Sequence, residues 1–299
     1  MATNRSPIVA DLSLLGVAAV WGFTFTAVKR ALDAADPFSF LAVRFALAAG
    51  ILLLVFPRRV FRANLRGAGS AALIGVWLTA GYALQTTGLV YTTASKSAFI
   101  TGLSVVLVPI LSFAVSRICP RGGSLAAVLF AAAGLYLLTS PRAGGVNIGD
   151  FLTLGCAAAF ALHIITTARV APHHDPVPLA FWQIVTTAIA CGLIAIASPE
   201  RRLVLTPWTL AALLVTGILA TAVAFLVQTW AQRRTSATHV AVIFTAEPVF
   251  AALFSWLVQH EALGPGKLLG GALIVLGMLA AKVGRPSAPV PEELTPGMR

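Results

Sequence analysis

The sequence predicts an all-α integral membrane protein, ten transmembrane helices arranged as two inverted five-helix repeats. Three observations lead there. The chain is 58% apolar and 10% charged, with mean hydropathy +0.90, whereas soluble domains are about a quarter charged. Ten apolar spans occupy almost all 299 residues, and all but the fifth and tenth, which are shorter, come near the ~20 residues that cross a hydrocarbon layer ~30 Å thick. The chain also repeats itself: Gln85 to Ser95 recurs as Gln228 to Thr238 at an offset of 143, and Arg30, Asp36-Pro37 and Arg44 align with Arg169, Asp175-Pro176 and Gln183 at an offset of 139. Five spans per copy is an odd number, so the second copy enters the membrane from the opposite side.

The first repeat, residues 8–140, contains spans at Ile8 to Val28, Pro37 to Phe56, Ala68 to Val90, Ala94 to Val115 and Ser124 to Thr139. A linker over 141–148 leads to the second repeat, residues 149–281. Its spans are Gly149 to Val170, Pro176 to Ala197, Thr206 to Gln228, Ser236 to Val258 and Lys267 to Ala281. Clusters of Pro, Gly, Asp and Arg punctuate the spans, and the short connections imply antiparallel neighbours. Residues 1–7 read as a cytoplasmic N-terminus, and the Pro-rich stretch 282–299 as a disordered cytoplasmic tail. Arg5 before an apolar run imitates a signal peptide, but the equivalent span at Gly149 lies in mid-chain, where no cleavage belongs.

The formal charge of +11 does not point to nucleic acid, because the basic residues sit at span ends. With the N-terminus inside, 13 Lys and Arg fall on the cytoplasmic side and 7 on the other, with Arg44 within a span. That asymmetry places both termini in the cytoplasm, and the Ala-rich spans point to a bacterial inner membrane. The partners expected are a lipid bilayer and a small-molecule substrate. Gly266 and Gly270 form G-x-x-x-G, which serves packing within one chain or between two. Monomer and homodimer both stay open.

Polar groups at membrane depth are costly, a few kcal/mol for a central charge on insertion scales, so each asks for a reason. Glu247 is the one acid well inside a span, and Pro248 beside it removes a helix hydrogen bond. The expectation is a kinked or unwound ninth span next to a carboxylate. Glu247 reads equally as a proton or cation site and as a buried structural partner of Arg44 or of freed backbone groups. Lys96 is an interfacial anchor or a contact for a substrate carboxylate. His163, in mid-span, is a packing or a gating group, and His239 lies near a helix start, where it can face water. Gln85 and Gln228, equivalent in the repeats, flank the pseudo-two-fold axis if they face inward, or bond helix to helix. Trp21, Tyr82 and Trp182 line a pocket or serve packing.

Cys119, Cys156 and Cys191 are scattered through apolar sequence and give neither a disulfide framework nor a metal spacing. No G-x-x-x-x-G-K-[ST] and no G-x-S-x-G occurs, and His260-Glu261 lacks the second histidine of H-E-x-x-H. No cofactor, metal site or enzymatic activity is expected.

Trp21 to Phe25 (W-G-F-T-F), Asp36 to Phe45 (D-P-F-S-F-L-A-V-R-F) and Thr235 to Leu257 (T-S-A-T-H-V-A-V-I-F-T-A-E-P-V-F-A-A-L-F-S-W-L) resemble EamA-type members of the drug/metabolite transporter superfamily. The resemblance extends from about Leu12 to Ala281. It implies a central cavity drawn from spans one, three, four, six, eight and nine, with Trp21, Tyr82, Lys96, His163, Gln228 and Glu247 near it. Lys96 and His163 match no general family motif. The family's Glu-Pro maps onto Glu247-Pro248 and its acid after the ninth span onto Glu261. The matching first-half places hold Val105 and Ile118, with a proline displaced to Pro109, so a Glu-Pro role is confined to the second half.

The expected function is a secondary transporter, an exporter of small metabolites such as amino acids, alternating access around a midplane cavity with proton coupling at Glu247 and His163. Multidrug efflux of lipophilic or cationic compounds is the alternative within transport. An intramembrane enzyme on lipid substrates would need clustered acids or histidines, and a structural or sensory protein would not require the inverted repeat.

Overall fold

The computed structural model describes residues 7–61, 65–116, 122–139, 146–199, 201–259 and 264–283. Span 1 is Pro7–Ala31, span 2 Pro37–Val55, span 3 Leu65–Tyr91, span 5 Gly122–Thr139, span 6 Ile148–Val170, span 7 Pro176–Ala197 and span 10 Pro265–Val283. Spans 4, 8 and 9 are irregular. Span 4 consists of Ala94–Gly102 and Ser104–Ser116, and span 9 of Ala237–Phe244 and Glu247–Gln259. Span 8 begins and ends as α-helix, Pro207–Leu214 and Ala224–Gln232, with a π-helical Val215–Val223 between them. Span 10 runs two residues into the stretch read as a tail. Glu261, Ile118, Cys119 and residues 284–299 lie outside the described residues.

The helix starts follow from capping chemistry. Asp36 accepts from the Phe38 and Ser39 amides with Pro37 at the first helical position, and Asp175 repeats the arrangement with Pro176 and the Val177 amide. A proline there loses only an N–H that the first turn leaves unbonded. Thr93 and Ser236 cap the halves of spans 4 and 9 at equivalent places, and Asn147 with Asp150 forms a capping box on span 6.

The helices pack by a pseudo-two-fold rule. Span 1 packs on spans 8 and 9 while span 6 packs on spans 3 and 4; span 2 packs on span 8 while span 7 packs on span 3. The pairs 2–7, 4–9 and 5–10 meet across the axis. Spans 5 and 10 approach at backbone distance: a Cβ on Gly134 would stand 2.5 Å from Gly270 O and 2.8 Å from Ile274 N. Gly270 therefore serves packing within the chain. Large apolar side chains such as Leu12, Leu54, Leu129, Phe151, Leu193, Ile196 and Leu279 cover the outside, as lipid contact requires and water would penalise.

Polar ties join the halves at places the repeat relates. Asp11 of span 1 meets His239 of span 9 at 3.0 Å, and their equivalents, Asp150 of span 6 and Lys96 of span 4, meet at 2.8 Å. Asp175 pairs with Arg59 at 2.9 Å. Their equivalents, Asp36 and Arg202, meet differently: Ala35 and Leu203 form an antiparallel bridge, Asp36 N–H donates to Arg202 O, and the Arg202 N–H donates to the Asp36 carboxylate at 2.6 Å. His239 is thus buried in a helix contact, where the sequence suggested a water-facing group.

Two outcomes are expected. Gly134→Leu forces a side chain against the backbone of span 10, an overpacking cost of about 1–3 kcal/mol, and should lower the melting temperature in detergent by several degrees. The second concerns Asp36, which burial pushes up but which the Ser39 side chain and the Arg202, Ser39 and Phe38 amides bring to a net position below its ordinary 3.8. A carboxylate so depressed contributes its full stabilisation above that value and loses it as pH falls through the lower folded value. Wild-type thermal stability should therefore drop on acidification below pH 3.8 more steeply than that of Asp36→Asn.

Candidate functional site

A cavity of about 70 Å³ opens where the broken spans meet span 8. It is bordered by span 1 (Trp21, Thr24), span 2 (Arg44), span 3 (Tyr82, Gln85, Thr86), span 4 (Thr101, Ser104), span 6 (Phe160, His163), span 8 (Phe225, Gln228) and span 9 (Phe244, Thr245, Glu247). Five of the six residues expected near it are there. Arg44 from span 2 is an addition to the expected set of spans.

The break in span 9 falls at Thr245 and Ala246, so Glu247 opens a half-helix and Pro248 occupies its first turn, where a missing N–H costs nothing. Span 4 breaks at Leu103, the equivalent place, although Ser104 and Val105 stand where span 9 has Glu247 and Pro248. The backbone symmetry that the displaced Pro109 suggested was lost is kept. The Glu247 carboxylate borders the cavity, and the hydrogen bonds and ion pairs among the described residues give it no partner. Gly22 holds span 1 against this break, since a Cβ there would meet Glu247 O at 2.5 Å.

Arg44 is not the partner of Glu247. Its Nε donates to Thr221 Oγ1 at 2.8 Å and its Nη2 to the Tyr82 hydroxyl at 3.2 Å and to Ala220 O at 3.5 Å, with the guanidinium 4.6 Å from the centre of the Tyr82 ring. Two of these acceptors lie within the π-helical stretch of span 8. The same carbonyl, Ala220 O, accepts from Trp21 Nε1 at 2.8 Å. Such widened turns are frequent at functional sites, and nothing in the residues Val215 to Val223 announces one. Trp21 also stands edge-on to Phe244 and tilted to Phe225, and Tyr82 edge-on to Phe160 and Phe225, so the wall is a connected set of aromatic rings.

His163 meets Gln183 Oε1 through Nε2 at 2.8 Å, and Gln183 Nε2 donates to Thr229 Oγ1, which donates to Phe225 O. This chain assigns the His163 proton to Nε2 and ties spans 6, 7 and 8. Gln85 and Gln228 both border the cavity while also bonding, Gln85 to Thr101 Oγ1 and Gln228 to Gln232 Oε1. Gln228 Oε1 is buried with no hydrogen-bond partner among the described residues.

Lys96 is a correction. It does not border the cavity: its ammonium is drawn 2.8 Å from Asp150, whose other oxygen accepts from Thr92. A carboxylate 54 positions away in the chain captures it, which no local pattern reveals. Trp182 is likewise outside the cavity, donating to Val60 O and stacked edge-on against Phe61 and Phe181. The threonines and phenylalanines of the cavity were not singled out by sequence, because the same residue types fill the spans elsewhere.

Residues 8–140 and 147–281 each match the EamA-like transporter family. The chain is 38% identical to an uncharacterized transporter of Archaeoglobus fulgidus over 91% of its own length and 85% of that protein. It is 22% identical to the uncharacterized transporter YoaV of Bacillus subtilis over 89% of its length and 94% of that protein. A solved crystal structure superposes with TM-score 0.78, covering 93% of this chain and 98% of its own at 20% identity, and so shares the fold. Two matching repeats, ten spans and a multi-pass membrane architecture agree: this chain belongs to the EamA-like transporter family.

Proposed function

We propose that this transporter exports small metabolites, amino acids among them, by alternating access around the cavity bordered by Trp21, Arg44, Tyr82, His163, Gln228 and Glu247, with inward proton movement as the driving force. One observation carries the reading: Glu247, an acid at the break of span 9, faces the cavity with no ion-pair partner among the described residues. A membrane-depth carboxylate left without a cation can hold a proton or a cationic group of the substrate in turn, and the two exclude each other. Broken helices supply the local backbone freedom for such an exchange. The chain acts without catalysis, in a bacterial inner membrane with both termini in the cytoplasm.

The deciding experiment is flux in proteoliposomes with labelled amino acids, carboxylates and lipophilic cations, with and without a proton gradient. Gradient-driven amino acid flux is expected, and cation flux alone would establish the drug-efflux alternative. Glu247→Gln combined with His163→Ala should reduce gradient-driven flux at least about tenfold, the scale of a lost buried-charge interaction; wild-type rates in that variant would exclude proton coupling at these residues. For orientation, single cysteines near residues 5 and 290 should resist an impermeant maleimide in intact cells and react after permeabilisation.

A further inference from the structure

Arg44 is 3% exposed, and every group among the described residues that touches its guanidinium is neutral: a threonine hydroxyl, a tyrosine hydroxyl and ring, the Phe45 ring and a backbone carbonyl. Its Nη1 has no acceptor among the described residues. The ion pairs among those residues lie elsewhere, at Arg59–Asp175, Lys96–Asp150 and His239–Asp11. An unneutralised cation buried in a membrane bundle is expensive, so its retention needs a reason.

The repeat supplies an internal comparison. The position equivalent to Arg44 holds Gln183, also fully buried, which bonds His163 and Thr229 and is neutral. A helix at this place in the fold therefore packs well with an uncharged amide. The charge at Arg44 is an addition that packing does not call for. Glu247 presents an acidic group to the same cavity, and the two make no ion pair with each other among the described residues.

We infer that Arg44 is the carboxylate-binding residue of the cavity, and that the substrate is a zwitterion whose carboxylate meets Arg44 and whose ammonium meets Glu247. This rests on the transporter reading above. A guanidinium edge held by Thr221, Ala220 and Tyr82 is oriented in advance for a carboxylate. A ligand carrying both charges satisfies both walls while arriving with no net charge. Its side chain then lies against the rings of Trp21, Phe160, Phe225 and Phe244, which selects apolar and aromatic side chains.

The test uses the full chain in proteoliposomes, with L-phenylalanine and L-leucine against phenethylamine, which lacks the carboxylate, and 3-phenylpropionate, which lacks the ammonium. Binding is read in parallel by the shift in melting temperature in detergent. Wild type should move the amino acids at least tenfold faster than either singly charged analogue. Arg44→Gln, which places at 44 the residue that its counterpart position accommodates, should lose tenfold or more of amino acid flux while phenethylamine flux stays within twofold; Arg44→Lys should recover part of the loss. The assignment is overturned if Arg44→Gln moves phenylalanine at the wild-type rate, or if it loses amine and amino acids alike with a lowered melting temperature, the mark of a structural role. Wild type moving phenethylamine alone overturns the zwitterion and leaves a transporter. Wild type that neither moves nor binds any of the four overturns the metabolite reading as well.

Discussion

A charged group inside hydrocarbon has to be answered by protein or by a water-filled space, and the placement of nearly every polar side chain in this bundle follows from that constraint. Near the span ends the answer is a partner: Asp11 with His239, Asp150 with Lys96, Asp175 with Arg59. At mid-depth the answer changes. Arg44 is held by neutral dipoles, Glu247 faces open space, and His163 donates a hydrogen bond to the Gln183 amide oxygen on the neighbouring span. The fold thus sorts its charges by depth, neutralised at the rims and left open at the centre.

The ties at the rims also show which helices hold together. Spans 1 and 9 are joined by one, spans 4 and 6 by its equivalent, and each joins an element of one repeat to an element of the other. The repeats are units of sequence, but the contacts interleave them. Spans 1, 2, 8 and 9 pack among themselves, as do spans 3, 4, 6 and 7, with the cavity between.

How much of this could be read from the sequence depends on the range of the interaction involved. Ten spans, the odd repeat and the break beside Glu247 are local or periodic signals, and each is present. The break in span 4 is half legible: Pro109 hints at irregularity, yet the helix parts six positions earlier, at Leu103, beside Gly102, which lies against Leu135. The π-helical stretch of span 8 has an ordinary apolar sequence. The capture of Lys96 is not legible because the carboxylate that holds it comes from span 6, and the neutrality of the groups around Arg44 is a tertiary fact. Small hydroxyls such as Thr24, Thr86 and Thr101 look alike whether they face a cavity or bond their own helix.

Equivalent positions need not do equivalent work, and helix length explains one case. Span 2 has 19 residues and its counterpart, span 7, has 22, a difference of about 4.5 Å along the axis. A bilayer of one thickness cannot match both, so the longer helix tilts or carries its end out past the hydrocarbon. Beyond that end Val204 N–H donates to Ala34 O and Arg202 O accepts from Asp36 N–H, as in an antiparallel strand pair; after the shorter helix the chain closes into a turn, and Arg59 reaches Asp175 by side chain alone. Hydrophobic mismatch between the two copies thereby gives the protein two unlike rims, one sealed by main chain and one by a salt bridge that ionic strength can screen.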